Sequence, residues 1–585
     1  MEKLPVPSQL AQTVMPGSNK LHRLPPLIFV AIAAIAAATA QRPSHTPLPP
    51  DPDAGKPIVP TIPDVDRHTP GRVFLEQADS LVANPAVPDG QILIGNVVFR
   101  RGDMLMYCDS ACFYTSATAD SMEAFGNVHM QQGDTLFLYG DRLEYSGSRE
   151  LATIYADDYD VDSRVRLINR DVTLVTTVLN YDLGLSLGYY EVGGVLSDPH
   201  NTLESIEGEY SPSTKDASFY RHVVLDGISD SGDSLHLYTD TLIYNTESRL
   251  ATITCPSRIV TKDGVIYTDN GIFDTNTSRA WLYERSTVRT YSGNTLTGDT
   301  LFYDRELGFG EAFGKMSLTD SARQVTLEGE YGFFNERTDS AFATGMARAM
   351  EYSGTDTLYL HAETIRAFTV LPDSAAGQTD TTRLMIAHPG VRFFRSDIQG
   401  VCDSMTFVQS DSTLRMDTHP IVWSDNRQIF GDVIHVYMND STVDRAHLPQ
   451  FAFMAEHIEG DYFNQLSGRE MIAYMADGHL SRLDVNGSVQ GIMLPVENDS
   501  TYNKVANVTS SFLSATFGKN ELERAHMWDQ TSGTVTPLYL AKKSLFRLPR
   551  FAWYEVLRPL SPDSIFIYPP EWHDLLLLKT DNNKE

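Results

Sequence analysis

Two short acidic clusters contain the residue types that could support chemistry. Asp230-Ser231-Gly232 matches the triplet of aspartic proteases, but the sequence holds no second triplet to complete a catalytic dyad. Asp158, Asp160 and Asp162 alternate as in a calcium loop, yet Ser163 and Asn169 stand where an EF-hand has glycine and glutamate. The first cluster is therefore interpreted as a turn. The second is interpreted as a solvated acidic edge, with weak divalent binding as the alternative.

The cysteines and histidines show no ligand or nucleophile pattern. Cys108 and Cys112 are four residues apart in a strand-like run, about 13 Å if extended, which is too far for a disulfide. His236 and His361 occupy repeat positions that Phe137 fills elsewhere, which favours structural roles. We therefore predict no catalytic residues, no metal site and no cofactor.

An internal repeat dominates the chain. The phrase at residues 134–145 (DTLFLYGDRLEY) recurs at 233–244 (DSLHLYTDTLIY), and a looser copy lies at 356–365. Gly95-Asn-Val97 returns 31 residues later as Gly126-Asn-Val128. Self-similarity at a fixed period indicates one supersecondary unit stacked many times.

The repeated phrase has the period of β-strands. Leu136 and Leu138 share one parity, while Leu143 and Tyr145 share the other after Gly140, which predicts two strands meeting at a Gly-Asp corner. If two sheets face each other, these positions point inward. The preferred inward set is Leu143, Tyr145, Leu242, Tyr244, Leu301 and Tyr303, with Leu136, Leu138, Leu235 and Leu237 as the alternative parity.

The net charge and the two terminal segments restrict the possible functions. A net charge of -30 argues against binding to nucleic acid. Residues 1–40 have a basic region, an apolar run and an Ala-Thr-Ala site, typical of a cleavable signal peptide. Residues 41–70 form a Pro-rich linker. Residues 541–585 form a Pro/aromatic tail, interpreted as a cap over the end of a stack or as a docking segment.

The ordered recurrence of Gly-Asn-Val, a strand and Gly-Asp-x-Leu-x-Tyr resembles the OstA-like family. This family includes the periplasmic lipopolysaccharide-transport protein LptA and the N-terminal domain of its outer-membrane partner LptD. The motifs at 95–97, 126–128, 140–145 and 298–303 carry the resemblance, which covers about residues 90–440. The chain is longer than one such module and is most similar to large Bacteroidetes members with tandem units.

The resemblance implies an all-β fold of tandem β-jellyroll (β-taco) repeats stacked into an elongated antiparallel structure. Modules are expected at 71–230 and 231–395, with further β repeats at 396–540. It also implies a groove for the acyl chains of lipopolysaccharide or lipid A, in the periplasm, with association to the outer membrane left open. Other transport components would dock by β-strand addition at the ends. The function predicted is a non-catalytic transport bridge or scaffold. The alternatives are a secreted polysaccharide-active enzyme and a structural surface protein.

Overall fold

A computed structural model describes residues 72–83, 90–116, 118–370, 381–439, 442–476, 479–496, 501–518 and 521–572. They form 44 strands, and the prediction of an all-β antiparallel stack is confirmed. Contacts divide the chain into Met1–Val65 and Asp66–Glu585, and the described residues belong to the second unit. The predicted signal peptide, the Pro-rich linker and the last residues of the tail lie outside the described residues.

The first third of the stack contains fifteen strands. They are β1 Phe74–Gln77, β2 Ser80–Ala83, β3 Gly90–Arg101, β4 Met104–Thr115, β5 Asp120–Gln132, β6 Leu136–Ser146, β7 Leu151–Tyr155, β8 Val165–Asn169, β9 Val172–Thr176, β10 Val178–Asp182, β11 Leu187–Tyr190, β12 Gly194–Ser197, β13 Asn201–Ser205, β14 Glu207–Tyr210 and β15 Asp216–Ile228.

The middle third begins where the repeated phrase returns. Its strands are β16 Ser234–Asn245, β17 Leu250–Ile253, β18 Ser257–Thr261, β19 Gly264–Thr268, β20 Asn270–Asp274, β21 Arg279–Thr290, β22 Asn294–Asp304, β23 Phe309–Asp320, β24 Val325–Asn335, β25 Ser340–Thr344, β26 Arg348–Glu351, β27 Leu358–His361, β28 Thr364–Val370, β29 Thr382–His388 and β30 Val391–Phe394.

The last third ends in the tail. Its strands are β31 Gln399–Cys402, β32 Ser404–Val408, β33 Thr413–Asp417, β34 Ile421–Ser424, β35 Arg427–Gly431, β36 Val433–Asn439, β37 Thr442–Leu448, β38 Ala452–Glu459, β39 Tyr462–Gly468, β40 Glu470–Ala476, β41 His479–Met493, β42 Lys504–Gly518, β43 Glu521–Trp528 and β44 Ser532–Pro537. Four 3-10 turns follow at Leu538–Leu540, Lys543–Phe546, Glu555–Leu557 and Ser564–Phe566.

The strands build two facing walls. Wall A contains β1, β8, β9, β12, β13, β18, β19, β26, β27, β30, β31, β34, β35, β38, β39 and β44. Wall B contains β2, β7, β10, β11, β14, β17, β20, β25, β28, β29, β32, β33, β36, β37, β40 and β43. The long strands β3–β6, β15, β16, β21–β24, β41 and β42 bend and contribute one half to each wall. Pairing continues without a break across the predicted module boundaries at 230 and 395, and the division into modules stays a prediction.

The Gly-Asn-Val motif is the corner at which a long strand crosses from wall B to wall A. Gly95 and Asn96 both have positive φ, 81° and 46°, and the pairing register shifts there. A Cβ at Gly95 would lie 2.4 Å from Asp79 Oδ2, so glycine is required by space as well as by conformation. Asn96 Nδ2 donates to the same Asp79 oxygen at 2.9 Å. The second copy of the motif repeats this geometry, with positive φ at Gly126 and Asn127.

The interior between the walls is packed with apolar side chains. In wall A, one inward residue from each successive strand forms a ladder across the sheet, here called the inner row of wall A. It begins with Leu138, Leu167, Leu174, Leu196, Leu203, Leu225, Leu237, Ile259, Ile266, Val288, Leu296, Leu318 and Leu327. All of these side chains are buried. No helix in the described part of the chain is both long and apolar enough to cross a lipid bilayer.

Candidate functional site: an apolar furrow between the walls

A continuous line of inward side chains, the rim row of wall B, runs close to the open edge of the stack. From β6 to β25 it alternates bulky aromatic residues with small ones. Its members are Tyr145, Ala152, Tyr181, Gly188, Tyr210, Ala217, Tyr244, Ala251, Phe273, Ala280, Tyr303, Gly310, Phe334 and Ala341. Large and small side chains alternate because each ring fills the space left by its small neighbours.

Two tyrosine hydroxyls in the rim row, those of Tyr210 and Tyr244, tie wall B to wall A. Tyr210 accepts a hydrogen bond from Asn169 Nδ2 at 2.9 Å. Tyr244 donates to Asp198 Oδ2 at 2.5 Å and accepts from Asn201 Nδ2 at 2.8 Å. Burial and the adjacent Asp198 carboxylate raise the pKa of Tyr244, so its hydroxyl keeps its proton. We call these contacts the rim locks.

An ion-pair cluster locks the rim further along the stack. Arg305, which follows β22, contacts Asp233 and Asp263 at 2.8 Å each. The arginine side chain is only 7% exposed, and the hydrogen bond from Arg305 lowers the pKa of Asp233. Both acids belong to turns of wall A, so the cluster holds the two rims together by charge-assisted hydrogen bonds.

The ten residues predicted as groove candidates all face the interior of this locked half. Leu136, Leu138, Leu143, Tyr145, Leu235, Leu237, Leu242, Tyr244, Leu301 and Tyr303 are 0–7% exposed. Both parities point inward because β6, β16 and β22 bend at the corner, where the register shifts against β5, β15 and β23. Their side chains are covered by the opposite wall, and contact with lipid stays a prediction for them.

Beyond β25 the rim row loses its tyrosines. The same line continues as Ala367, Met385, Phe407, Leu414, Val436, Ala446 and Ala473. All seven side chains are half-buried, although the inward residues two positions away, such as Met405 and Met416, remain fully buried. Aliphatic and phenyl side chains have no group that could form a rim lock.

Wall A opens over the same stretch. Its inner row is 0% exposed at Ile259, 4% at Leu296 and 9% at Ala349. From β34 onward the row consists of Val422, Ile429, Met454 and Leu466, which are half-buried. Exposure of the inner row therefore rises along the stack, from a closed interior to an interior that solvent reaches.

These two rows define the apolar furrow. It is lined by Met385, Leu414, Val436 and Ala473 from wall B and by Val422, Ile429, Met454 and Leu466 from wall A. All eight pack against the main core while remaining partly accessible. Since they face inward, their exposure shows that the walls part toward the rim. The furrow can bind an alkyl chain by dispersion and by the hydrophobic effect, and none of its side chains is ionisable.

The sequence held one signal for this site. In the looser third copy at 356–365, the phrase reads Leu-Tyr-Leu-His-Ala-Glu-Thr-Ile, so the closing tyrosine of the earlier copies is missing. That loss marks the point after which the rim is no longer locked. The furrow residues themselves lie on strands that do not repeat the phrase, which is why they were not predicted.

The acidic clusters are turns and loop contacts in the structure. Asp230 lies in the turn between β15 and β16 and pairs with Arg249 at 3.3 Å. In the loop after β7, Asp157 and Asp160 accept hydrogen bonds from backbone N–H groups two residues ahead. Within the described residues, no group of three or more acidic, cysteine or histidine side chains is placed to hold a metal ion.

The cysteines are free thiols. Cys108 and Cys402 are buried, and burial raises the pKa of the Cys108 thiol to about 12. A thiol that holds its proton this firmly is a poor nucleophile. His361 is buried and contacts the Ala347 carbonyl oxygen at 2.6 Å, a structural role.

The fold and site together define an all-β stack whose two walls enclose apolar side chains and part along one half. Residues 71–229, about a quarter of the chain, match the family described as OstA-like protein. The resemblance stated from the motifs is confirmed over that segment. OstA-like proteins are a transport and binding family. No curated protein matches the chain.

Proposed function

We propose that this protein carries lipopolysaccharide, or its lipid A part, to the outer membrane by holding acyl chains in the apolar furrow, without catalysis. The observation that carries the proposal is the pair of facing apolar rows that point inward and remain accessible. Membership of the matched segment in a transport-type family supports it. The proposal includes that the chain consists of tandem OstA-like units, as in the large Bacteroidetes members of the family.

The physics of the cargo requires such a surface. Exposing an acyl chain to water costs a free energy of about 0.8 kcal/mol for each methylene. A lipid that crosses an aqueous space therefore needs an apolar surface to bind its chains. The furrow runs across six strand segments of wall B, from β29 to β40, a span of about 25 Å at about 4.8 Å per strand. It covers the acyl chains of a lipid over that part of the stack.

The ends of the stack offer the docking sites that the proposal needs. Among the described residues, β1 and β2 pair only with β3, and β43 and β44 pair only with β42. In the described part of the chain no further strand pairs with the outer edges of these four strands, and another transport component would add its strand there. We place the protein in the periplasm on the basis of the N-terminal signal, which lies outside the described residues.

Photocrosslinking in living cells tests the proposal. A photoreactive residue at Leu414 or Ile429 is expected to form adducts with lipopolysaccharide. Arg415 is the matched control, because it neighbours Leu414 but is exposed on the outer face of the same strand. Positions 145, 244 and 303 report on the locked half and are expected to yield fewer lipid adducts. Equal lipid labelling from Leu414 and Arg415, or none from any furrow position, would contradict the proposal.

A further inference from the structure

The C-terminal tail lies along the outer face of wall A, on the side away from the furrow. Leu548 contacts Gln465 on β39, Tyr554 contacts Gln428 on β35, and the Tyr568 hydroxyl donates to the Gly390 carbonyl beside β30 at 2.5 Å. The tail therefore runs back from the end of the stack toward its middle, across successive strands.

Two buried glutamines bind the tail backbone in the same way. Gln428 donates to the Ala552 carbonyl at 3.0 Å and accepts from the Tyr554 N–H at 2.8 Å. Gln465 donates to the Phe546 carbonyl at 2.8 Å and accepts from the Leu548 N–H at 2.8 Å. Each side-chain amide thus contacts the C=O of one residue and the N–H two residues later, as a neighbouring strand would. The wall recognises an extended main chain at two points six residues apart.

Two arginines complete the attachment. Arg392 is 2% exposed, donates to the Leu557 carbonyl at 3.0 Å and stacks on the Tyr568 ring at 5.6 Å. Its buried position lowers the pKa of the guanidinium to about 10. Arg558 from the tail donates to Gln399 Oε1 at 2.9 Å. A charge as buried as Arg392 needs the tail, since the Leu557 carbonyl is its hydrogen-bond acceptor in the described residues.

The tail also covers an apolar face. A second core cluster, separate from the main one, joins outer residues of wall A to tail residues. It contains Val401, Ile421, Trp423, Phe430, Phe453, Ala455, Leu557 and Trp572. In the locked half the corresponding outer row mixes polar Thr295, Thr319 and Thr326 with Val260 and Val265 at paired positions. The half of wall A that borders the furrow has apolar residues on both faces, and the tail covers the outer one.

The furrow and the tail share the same strands. Ile429 lines the furrow between Gln428 and Phe430, which contact the tail, and Met454 lies likewise between Phe453 and Ala455. A single β-sheet with apolar residues exposed to water on both faces would bury one of these faces against the nearest apolar surface. With the outer face covered by the tail, the inner face can stay accessible without the wall closing.

We propose that the tail is a brace: bound to the outer face of wall A, it keeps that wall apart from wall B and so keeps the furrow open to its ligand. The ligand is the acyl chain of the proposed function, so the role of the tail in ligand binding rests on that proposal. Release of the tail lets wall A close against wall B, which buries Val422, Ile429 and Met454.

The test measures the furrow width without lipid, in the full chain. Spin labels are introduced at Ser424 and Asp411, exposed residues on the rims of wall A and wall B, through encoded reactive amino acids that spare the native cysteines. The double variant Gln428→Ala/Gln465→Ala is expected to shift the distance between labels to shorter values by several ångström. The matched control is Val556→Ser, because that tail residue is 57% exposed. It should leave the distance unchanged.

Cleavage of the folded chain is a second test, which does not depend on correct folding of the double variant. A protease site inserted between Ala541 and Lys542 allows the tail to be released from protein already folded, and hydrogen exchange over residues 234–245 reports that the locked half stays intact. An unchanged label distance after verified release of the tail would overturn the brace. If release closes the furrow but wild-type furrow positions never label lipopolysaccharide, the brace stands and the proposed function fails. If wild-type positions label lipid and release changes nothing, the brace alone fails.

Discussion

Removal of one oxygen atom at Tyr244 tests whether the rim locks hold the closed half together. In Tyr244→Phe the ring still fills its place in the rim row, but the bond to Asp198 at 2.5 Å and the bond from Asn201 at 2.8 Å are lost. Asp198 keeps backbone donors from His200 and Asn201, both at 2.8 Å, so its carboxylate is not orphaned. The loss is therefore that of a hydrogen bond to a charged group, about 2 kcal/mol.

Hydrogen exchange of β16 is the appropriate assay, because a long stack of repeats need not unfold in one cooperative step. A loss of about 2 kcal/mol accelerates exchange through local opening by roughly 30-fold in peptides that cover residues 234–245. Tyr303→Phe is the matched control. Its hydroxyl makes no hydrogen bond within the described part of the chain, so its effect should stay within about 0.5 kcal/mol. Equal effects of the two substitutions would refute the idea that the hydroxyl, and not the ring, closes the rim.

Three further substitutions test an ion-pair cluster, a buried tyrosine and the furrow. Arg305→Leu removes the bonds from Arg305 to Asp233 and Asp263, although Asp233 keeps Lys262 at 3.3 Å, and should cost about 1–2 kcal/mol after allowance for the partial exposure of both acids, measured as faster exchange in β16 and β22. Burial raises the pKa of Tyr190 to about 12, so the stability it contributes is complete below about pH 10 and is lost as the pH rises to about 12; Tyr190→Phe should remove about 2–3 kcal/mol of that pH dependence in alkaline unfolding. Leu414→Asp should weaken lipid binding about 10-fold by removing roughly two methylene contacts, whereas Arg415→Asp on the outer face should not, as a lipid-binding titration would show.

The repeat itself made the fold predictable. The recurrence of Gly-Asn-Val and Gly-Asp-x-Leu-x-Tyr predicted a stack of repeated β units, and the resemblance to the OstA-like family added its antiparallel arrangement. The inward positions were also predictable, although the bend of β6 makes both Leu138 and Leu143 inward where simple alternation assigns them to opposite faces.

The furrow was not predictable from the repeat, because it depends on residues that break it. The sequence pattern classifies a rim position as apolar whether it holds Tyr244 or Val436. The tyrosine, however, has the hydroxyl that ties the walls together. The covered outer face did leave a signal: Ile421 to Trp423 is apolar without alternation, as expected for a strand buried on both sides. The partner that buries it, residues about 130 positions later, could not be deduced from pattern alone.

The corner geometry has a consequence for how such a chain changes length. Each excursion from wall B to wall A and back returns the backbone to the same wall, with the same side chains facing inward. A hairpin can therefore be gained or lost as a unit while the terminal strands keep their faces and their free edges. The length of the stack is thus adjustable in steps of two strands, about 10 Å each. Insertion or deletion of a single residue inside a strand would instead turn its apolar side chains to the solvent.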